Sequence, residues 1–216
     1  MNPRASAIQS LIKAICAPFA FLKGAPQGAD KPQSTPENDA PWSAECLAFA
    51  DHWSGLCDGA PLPTSERFLD APSPHFAGNA FILDLIDGVP IVRLQGTQLE
   101  QAWARDLTGS DFFPGRSPRF RAAGLSNMTA LLAHPCGHLA RSSYATSKGR
   151  KITSDWIFLP VEVRSGRPRR IVGVMFEHGG RNKFSEVGIH HFELHRLAWR
   201  DIGAGVPTAP PVPLED

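Results

Sequence analysis

The sequence contains only four cysteines, and none of them are paired at a spacing typical of metal binding. Cys16, Cys46, Cys57 and Cys136 are scattered through the chain, and no CxxC pair occurs. Zinc ribbons and disulfide frameworks both need cysteines at closer or more regular spacing. The cysteine pattern therefore argues against these two classes and predicts a protein of the reducing cytoplasm.

The chain also has no excess of charge of one sign. It contains 22 lysines and arginines against 21 aspartates and glutamates, which gives a formal net charge of +1. Because no overall field concentrates a polyanion on the surface, nucleic acid is not an expected partner.

Long hydrophobic runs and catalytic sequence motifs are missing as well. Charged residues interrupt each apolar stretch well before the roughly 18 to 20 residues that cross a bilayer, so no transmembrane helix is expected. The glycines form no phosphate-binding or dinucleotide-binding motif, and no GxSxG nucleophile elbow occurs. The sequence therefore predicts no catalytic residues and no enzyme activity.

The composition itself is that of an ordinary globular domain with tails. The 216 residues are 42% hydrophobic and 20% charged, which is enough apolar material for one core. We divide the chain into an amphipathic N-terminal extension, a disordered linker, an N-terminal cap helix, a main domain, a C-terminal segment and a proline-rich tail. These segments span residues 1–24, 25–41, 42–60, 61–180, 181–204 and 205–216.

The N-terminal extension is apolar on one face and weakly basic elsewhere. Apolar residues recur at helical spacing from Ile8 to Leu22, and residues 1–24 include no acidic residue. Such a helix suits an anionic membrane surface or a partner. A secretory signal is disfavoured because Lys13 splits the apolar stretch. We expect a cytoplasmic protein whose N-terminal extension is frayed, with peripheral contact of a membrane or partner through Ile8 to Leu22 as the alternative.

A helix is predicted from Trp42 to Cys57. Ser43 is suited to cap its N-terminus, and Gly59 follows its end. Its broad apolar face needs a covering surface, which the following domain or a second copy of the helix would supply. We therefore expect a homodimer through Trp42 to Cys57, with packing on the chain's own domain as the alternative.

A hairpin and two helices are predicted next. Phe81 to Ile86 and Val89 to Gln95 flank Asp87-Gly88, a dipeptide that suits a two-residue turn because both central positions need positive φ. A short helix is expected from Gln98 to Arg105, and a longer one from Arg119 to His134.

Three further strands are predicted from Gly137 to Thr146, Lys151 to Val163 and Arg169 to His178. With the hairpin and the helices they give an α+β domain that has its helices on one face of an antiparallel sheet. The pattern from Phe184 to Ile202 fits a strand or a helix. The prolines after Gly205 predict an extended, unpacked end.

Four short motifs follow one another along this part of the chain. They are Leu62-Pro63, Arg93-Leu94-Gln95-Gly96-Thr97, Asp106-Leu107-Thr108-Gly109 and Leu159-Pro160. In this order they resemble the PAS domain family, and more specifically a bacterial subfamily of short stand-alone proteins, many of them alphaproteobacterial. The resemblance covers Trp42 to Glu177.

The resemblance implies a PAS-like fold and a sensory function. The implied fold is a five-stranded antiparallel sheet with helices packed on one face, preceded by an N-terminal helix, around a central cavity. The implied function is a signalling module that binds a small molecule or a protein partner and acts through another protein. The family supplies no catalytic motif, and the Asn-Cys-Arg-rich signature of its flavin-binding members does not occur here. The cofactor is therefore left unassigned.

A ligand in the central cavity would contact aromatic and thioether side chains from the helices and later strands. The candidate ligand-binding residues are Arg93, Trp103, Met128, Leu131, Leu132, Tyr144, Trp156 and Met175. Arg93 or Arg141 would bind a ligand carboxylate. The alternative is that these residues fill a closed core.

His134, Cys136 and His138 are candidates for a metal site or for a nucleophile with its base. His134 or His138 would also suit the axial position of a haem. A second candidate metal cluster consists of His190, His191 and His195. Residues so close together on one turn seldom converge on an ion, which favours a helix end followed by a strand. A metalloprotein or enzyme, and a ligand-free interaction adaptor, are the alternatives to a sensor.

Overall fold

The computed structural model describes residues 40–71, 73–146, 149–164, 167, 169–178 and 190–215. The helices are α1 (Ala44–Gly55), α2 (Ser65–Asp70), α3 (Pro74–Ala77), α4 (Thr97–Trp103) and α5 (Pro118–Ala133). The strands are β1 (Ala80–Ile86), β2 (Val89–Gln95), β3 (Gly137–Ala145), β4 (Lys151–Val161), β5 (Arg169–Glu177) and β6 (His190–Arg200). The amphipathic segment from Ile8 to Leu22 and most of the linker lie outside the described residues, so the expectations about them stay predictions.

The strands form one antiparallel sheet in the order β2-β1-β5-β4-β3-β6. Its six strands exceed the expected five, and the additional strand comes from the segment whose pattern fitted a strand or a helix. β6 pairs with β3, with Arg200 opposite Gly137 and His190 opposite Ala145. The sheet therefore extends beyond the expected domain boundary at residue 180.

A bulge explains why β6 is difficult to recognise in the sequence. Arg141 pairs with Arg196, but the next residue of β3, Ser142, pairs with Leu194. The extra residue on β6 reverses its inward and outward alternation. Phe192 and Leu194 before the bulge, and Leu197 and Trp199 after it, consequently all pack against the same core cluster. Alternation with a period of two therefore holds only within each half of the strand.

The predicted hairpin is confirmed, and the backbone after it approaches a neighbouring segment closely at Gly96. Asp87 and Gly88 have φ angles of 48° and 77°, as a two-residue turn of this type requires. A Cβ on Gly96 would lie 2.4 Å from the carbonyl oxygen of Ala77. The chain can therefore pass from β2 into α4 at this point only because residue 96 has no side chain.

Two hydrophobic clusters lie on opposite faces of the sheet. The first, the α5-face cluster, combines α4 and α5 with inward residues such as Phe81, Trp156 and Ile171. The second, the α1-face cluster, combines Phe49 and Trp53 of α1 with residues of β1, β3, β4 and β5. The helices therefore cover both faces, whereas the sequence analysis placed them on one.

The apolar face of α1 is covered by the chain's own sheet. The side chain of Ser43 caps the helix by accepting a hydrogen bond from the Cys46 amide, as predicted. Cys46, Phe49 and Trp53 are all buried, and Trp53 Nε1 donates to the Pro160 carbonyl at 2.9 Å. Of the two coverings considered, packing on the following domain is the one observed. The apolar face of this helix thus gives no basis for the expected homodimer.

The proline-rich tail is packed, contrary to the sequence analysis. Leu214 contacts the α5-face cluster, and the Trp199 indole donates to the Ala209 carbonyl at 2.9 Å. Asn127 of α5 forms two hydrogen bonds with the backbone of Val212. Prolines restrict the chain to an extended conformation, but they do not prevent its carbonyls and remaining amides from forming hydrogen bonds with the domain.

Candidate functional site

A row of aromatic rings crosses the sheet beneath α5. Trp156 and Phe158 of β4 point to the same face, with ring centroids 6.3 Å apart and nearly parallel planes. Trp103 of α4 stacks on Trp156 at 5.9 Å. His138 of β3 lies 5.6 Å from Phe158 and 5.1 Å from Trp199 of β6. These five rings, the aromatic row, connect α4 to the edge strand.

Two polar atoms of the aromatic row are buried without a partner. Neither Trp103 Nε1 nor His138 Nε2 has a hydrogen-bond partner within the described part of the chain. The indole of Trp156, in contrast, donates to Ser142 Oγ at 2.9 Å. Buried polar groups in folded proteins nearly always have a partner, which makes these two atoms exceptional within the core.

Burial keeps the His138 imidazole neutral. Desolvation lowers its pKa from 6.5 to about 4. The ring therefore carries one N–H donor and one nitrogen acceptor at neutral pH. A neutral imidazole between apolar rings suits an uncharged ligand better than a cation.

We expect acidification to destabilise the fold through His138. The unfolded imidazole binds its proton below pH 6.5, and the folded one only near pH 4, so the unfolded state binds more protons between these values. Stability should therefore fall as the pH decreases through this window, by about 3 kcal/mol in total. Urea unfolding at a series of pH values should show this loss in the wild type and not in His138→Gln. The exposed His75→Gln is the control, and equal pH dependence in both variants would contradict the assignment.

Most of the predicted ligand-binding residues lie on the same side of the sheet as the aromatic row. Met128, Leu131, Trp156 and Met175 are buried in the α5-face cluster, and Trp103 and Leu132 pack against it. Tyr144 is buried on the same strand as His138, and its hydroxyl donates to the Glu177 carboxylate. The structure brings these residues together as core side chains, and their role in ligand binding stays a proposal.

The two arginines expected to bind a carboxylate do not face the aromatic row. Arg93 is exposed on the edge strand β2, because its neighbour Val92 takes the inward position. Arg141 is fully buried, but on the opposite face of the sheet beside α1. The structure therefore places neither guanidinium beside the aromatic row, and the expected carboxylate contact stays a prediction.

Arg141 instead forms a buried ion pair with Asp155. Its Nε and Nη2 atoms lie 2.7 Å and 2.9 Å from the two carboxylate oxygens. Asp155 also accepts from the Ser43 amide at 2.7 Å and lies 3.0 Å from His178 Nε2. Burial alone would raise the pKa of the Asp155 carboxyl, but the hydrogen bonds from Arg141, Ser43 and His178 hold it below its usual value. This pair anchors the start of α1.

His134, Cys136 and His138 do not converge. Among the described residues, no three histidine, cysteine, aspartate or glutamate side chains lie close enough to hold a metal ion. Cys136 is fully buried, and desolvation, with a smaller effect from Asp201, raises its pKa to about 11. A thiol that stays protonated is a poor nucleophile and a poor metal ligand.

The second histidine cluster is described only in part. His195 Nε2 lies 2.7 Å from Ser143 Oγ on the neighbouring strand. The side chains of His190 and His191 are outside the described residues, so this metal-site prediction stays untested.

Sequence reasoning missed a groove between α5 and the C-terminal tail. It has a volume of about 380 Å³ and is lined by Arg119, Ala122, Ala123 and Ser126 of α5. The tail forms its other wall. Small residues repeated along one helix face were the signal, but the covering tail could not be placed from its own sequence.

Sheet, flanking helices and a ring-lined interior define an α+β domain. The family model for the PAS domain matches residues 43–176, which is more than half of the chain. The chain therefore belongs to the PAS domain family, and it is a sensory or signalling module. The predicted family and the predicted PAS-like fold are thereby confirmed.

One solved structure, of an RsLOV variant, is similar at 13% sequence identity with a TM-score of 0.38. The aligned region covers 50% of this chain and 65% of that one, so this chain spans less than two thirds of its length. None of the curated proteins matches this sequence.

Proposed function

We propose that this PAS protein senses an uncharged, planar small molecule at the aromatic row and has no catalytic output of its own. The observation that carries the proposal is the pair of buried, unpartnered atoms, Trp103 Nε1 and His138 Nε2. Stacked rings offer flat apolar contact, and either atom offers a hydrogen bond that would fix the orientation of a ligand. Ligand binding there would press on α4 and α5 and alter the surface that a signalling partner contacts.

The chemistry of two buried thiols argues against a cysteine nucleophile. Cys46 and Cys136 are fully buried, and desolvation is the largest cause of their raised pKa values, about 12 and about 11. Neither thiol is activated as a nucleophile would be. The rival metal or enzyme function of His134, Cys136 and His138 therefore has no geometric support in the described residues.

A ligand-free adaptor is the second candidate function. Rings and aliphatic side chains already fill the interior, with Phe81 and Phe112 stacked on each other and packed against Trp156 of the aromatic row. In this alternative the same residues only stabilise the fold, and protein contacts alone carry the signal.

The location and the partners remain part of the proposal. No helix within the described ranges is long and apolar enough to cross a membrane. We propose a cytoplasmic protein with an unidentified signalling partner. Peripheral membrane contact through Ile8 to Leu22 and a homodimer are further proposals, the dimer now without the apolar face of α1 as its interface.

Native mass spectrometry of the full chain separates sensor from adaptor. For a sensor, protein purified from its own host should carry a bound mass above the 23.4 kDa of the chain, and any chromophore should absorb above about 300 nm, beyond the aromatic side chains. His138→Phe should lose this mass, and Phe49→Leu on the opposite face should keep it. The same spectrum reports the oligomeric state. Planar aromatic compounds should raise the melting temperature of the wild type and leave that of His138→Phe unchanged. The small-molecule proposal is refuted if the purified wild type carries no ligand and no such compound stabilises it selectively.

A further inference from the structure

The C-terminal tail is held on α5 as a peptide is held by a receptor. After a turn closed by Asp201, residues 206–215 run along the domain, and the helix contacts them through side chains. Backbone hydrogen bonds, an apolar anchor and an ion pair all contribute. These are the three kinds of contact by which grooves recognise extended segments.

Asn127 supplies the backbone recognition. Its Oδ1 atom accepts from the Val212 amide at 2.7 Å, and its Nδ2 atom donates to the Val212 carbonyl at 2.8 Å. Its side chain is 2% exposed on a helix that otherwise buries mainly apolar residues. A buried carboxamide bonded on both sides to one residue of an extended chain recognises the backbone and not a particular side chain.

The residues after Val212 supply specificity. Leu214 packs against the α5-face cluster, and the Glu215 carboxylate lies 2.6 Å from Arg119 Nη2 at the exposed end of the groove. Pro213, directly before Leu214, keeps the segment extended. The groove therefore recognises a segment with an aliphatic residue, a proline, a leucine and an acidic residue in this order.

The groove has room for more than the tail. About 380 Å³ remains beside Val212 and Pro213, against the small side chains of α5. A tethered tail competes at an effective concentration in the millimolar range, so a free segment with identical contacts would displace it poorly. A segment that also fills this space makes additional contacts and can displace the tail. The tail of a second copy makes no additional contacts and therefore cannot.

We propose that this face of α5 is the docking groove for a partner protein, whose extended, proline-containing acidic segment displaces residues 206–215. The tail then competes with the partner for the groove, so only a segment that binds more tightly than the tethered tail can displace it. The inference is separate from ligand binding at the aromatic row and holds for a sensor or an adaptor.

A labelled peptide with the sequence of residues 205–215 tests the groove in the full chain. Fluorescence anisotropy should show binding to Leu214→Asp, whose own tail has lost its apolar anchor, at least about tenfold tighter than to the wild type, because the competing tail is loosened. Adding Asn127→Ala to Leu214→Asp should remove the gain. A peptide carrying proline at position 212 lacks the amide donor and should bind at least about tenfold more weakly. Val212→Pro in the full chain is a second way to loosen the tail.

Partner selectivity is tested on the wild-type chain with peptides lengthened to fill the groove. Binders should retain the leucine and the acidic residue, and should compete with the tail peptide on Leu214→Asp. Circular dichroism and melting temperatures should stay native for the loosened variants. The proposal is overturned if the peptide fails to bind either loosened variant, if binding survives Asn127→Ala, or if loosening the tail unfolds the chain. Stable mixed dimers of wild type and Leu214→Asp would assign the groove to a second copy instead.

Discussion

Removal of residues 1–60 is expected to leave a chain that no longer folds cooperatively. This truncation deletes α1 and exposes the apolar residues of the sheet that it covers, including Ile82, Ile157 and Val174. Trp53 and Phe49 are each buried to 99%, and loss of such a ring typically costs about 3 to 5 kcal/mol. Together they approach the about 5 to 15 kcal/mol by which whole domains are stable. Circular dichroism and thermal unfolding should show no sharp transition.

The matched controls keep α1 in place. A chain that begins at Thr35 retains the whole unit Thr35–Asp216 and should melt like the full protein. Trp53→Ala should lose about 3 to 5 kcal/mol, whereas the exposed Asp51→Ala should change stability by less than about 0.5 kcal/mol. A truncated chain with a native melting transition would show that α1 is dispensable to the sheet.

Replacing Arg141 with methionine is expected to destabilise the fold about as much as Trp53→Ala does. The substitution leaves the Asp155 carboxylate fully buried and without its guanidinium partner. Breaking a buried pair in this way typically costs about 3 to 5 kcal/mol, far more than the pair itself contributes. The free energy of unfolding from urea titrations should fall by this amount in Arg141→Met.

The double variant Arg141→Met with Asp155→Leu shows whether the destabilisation comes from an unpaired buried charge or from lost packing. It should recover much of the loss, although not all, because Ser43 and His178 also bond to Asp155. The exposed pair of Arg67 and Asp58 provides the comparison, and Arg67→Met should cost less than about 1 kcal/mol. If Arg141→Met lowers the free energy of unfolding by less than about 1 kcal/mol, burial does not make the loss of this partner more costly than at the surface.

Much of the element pattern was predictable because it depends on local sequence, although the short helices α2 and α3 were not predicted. Ser43 caps α1 and Asp87-Gly88 forms the hairpin turn, and each acts on its immediate neighbours. The strands of the main domain also follow their apolar patterns. β6 was ambiguous because the bulge opposite Arg141 and Ser142 interrupts its alternation.

The placement of helices and side chains depends on contacts that are distant in sequence. An apolar helix face such as that of α1 indicates burial without saying on which surface. Asp155 directly before the apolar residues of β4 indicates a buried partner, but the identity of Arg141 follows only from the register of β3 and β4. Asn127 binds a residue 85 positions away, and no local pattern predicts that contact.

The ion pair of Arg141 and Asp155 also gives the domain a mechanical attachment point. Arg141 donates to the carbonyls of Ala40 and Pro41 at 2.9 Å and 2.7 Å, immediately before α1. The same guanidinium joins adjacent strands, since Arg141 and Asp155 are directly paired across β3 and β4. Tension applied along the chain at Ala40 would therefore act on the hydrogen bonds between β3 and β4 before it reached the helix.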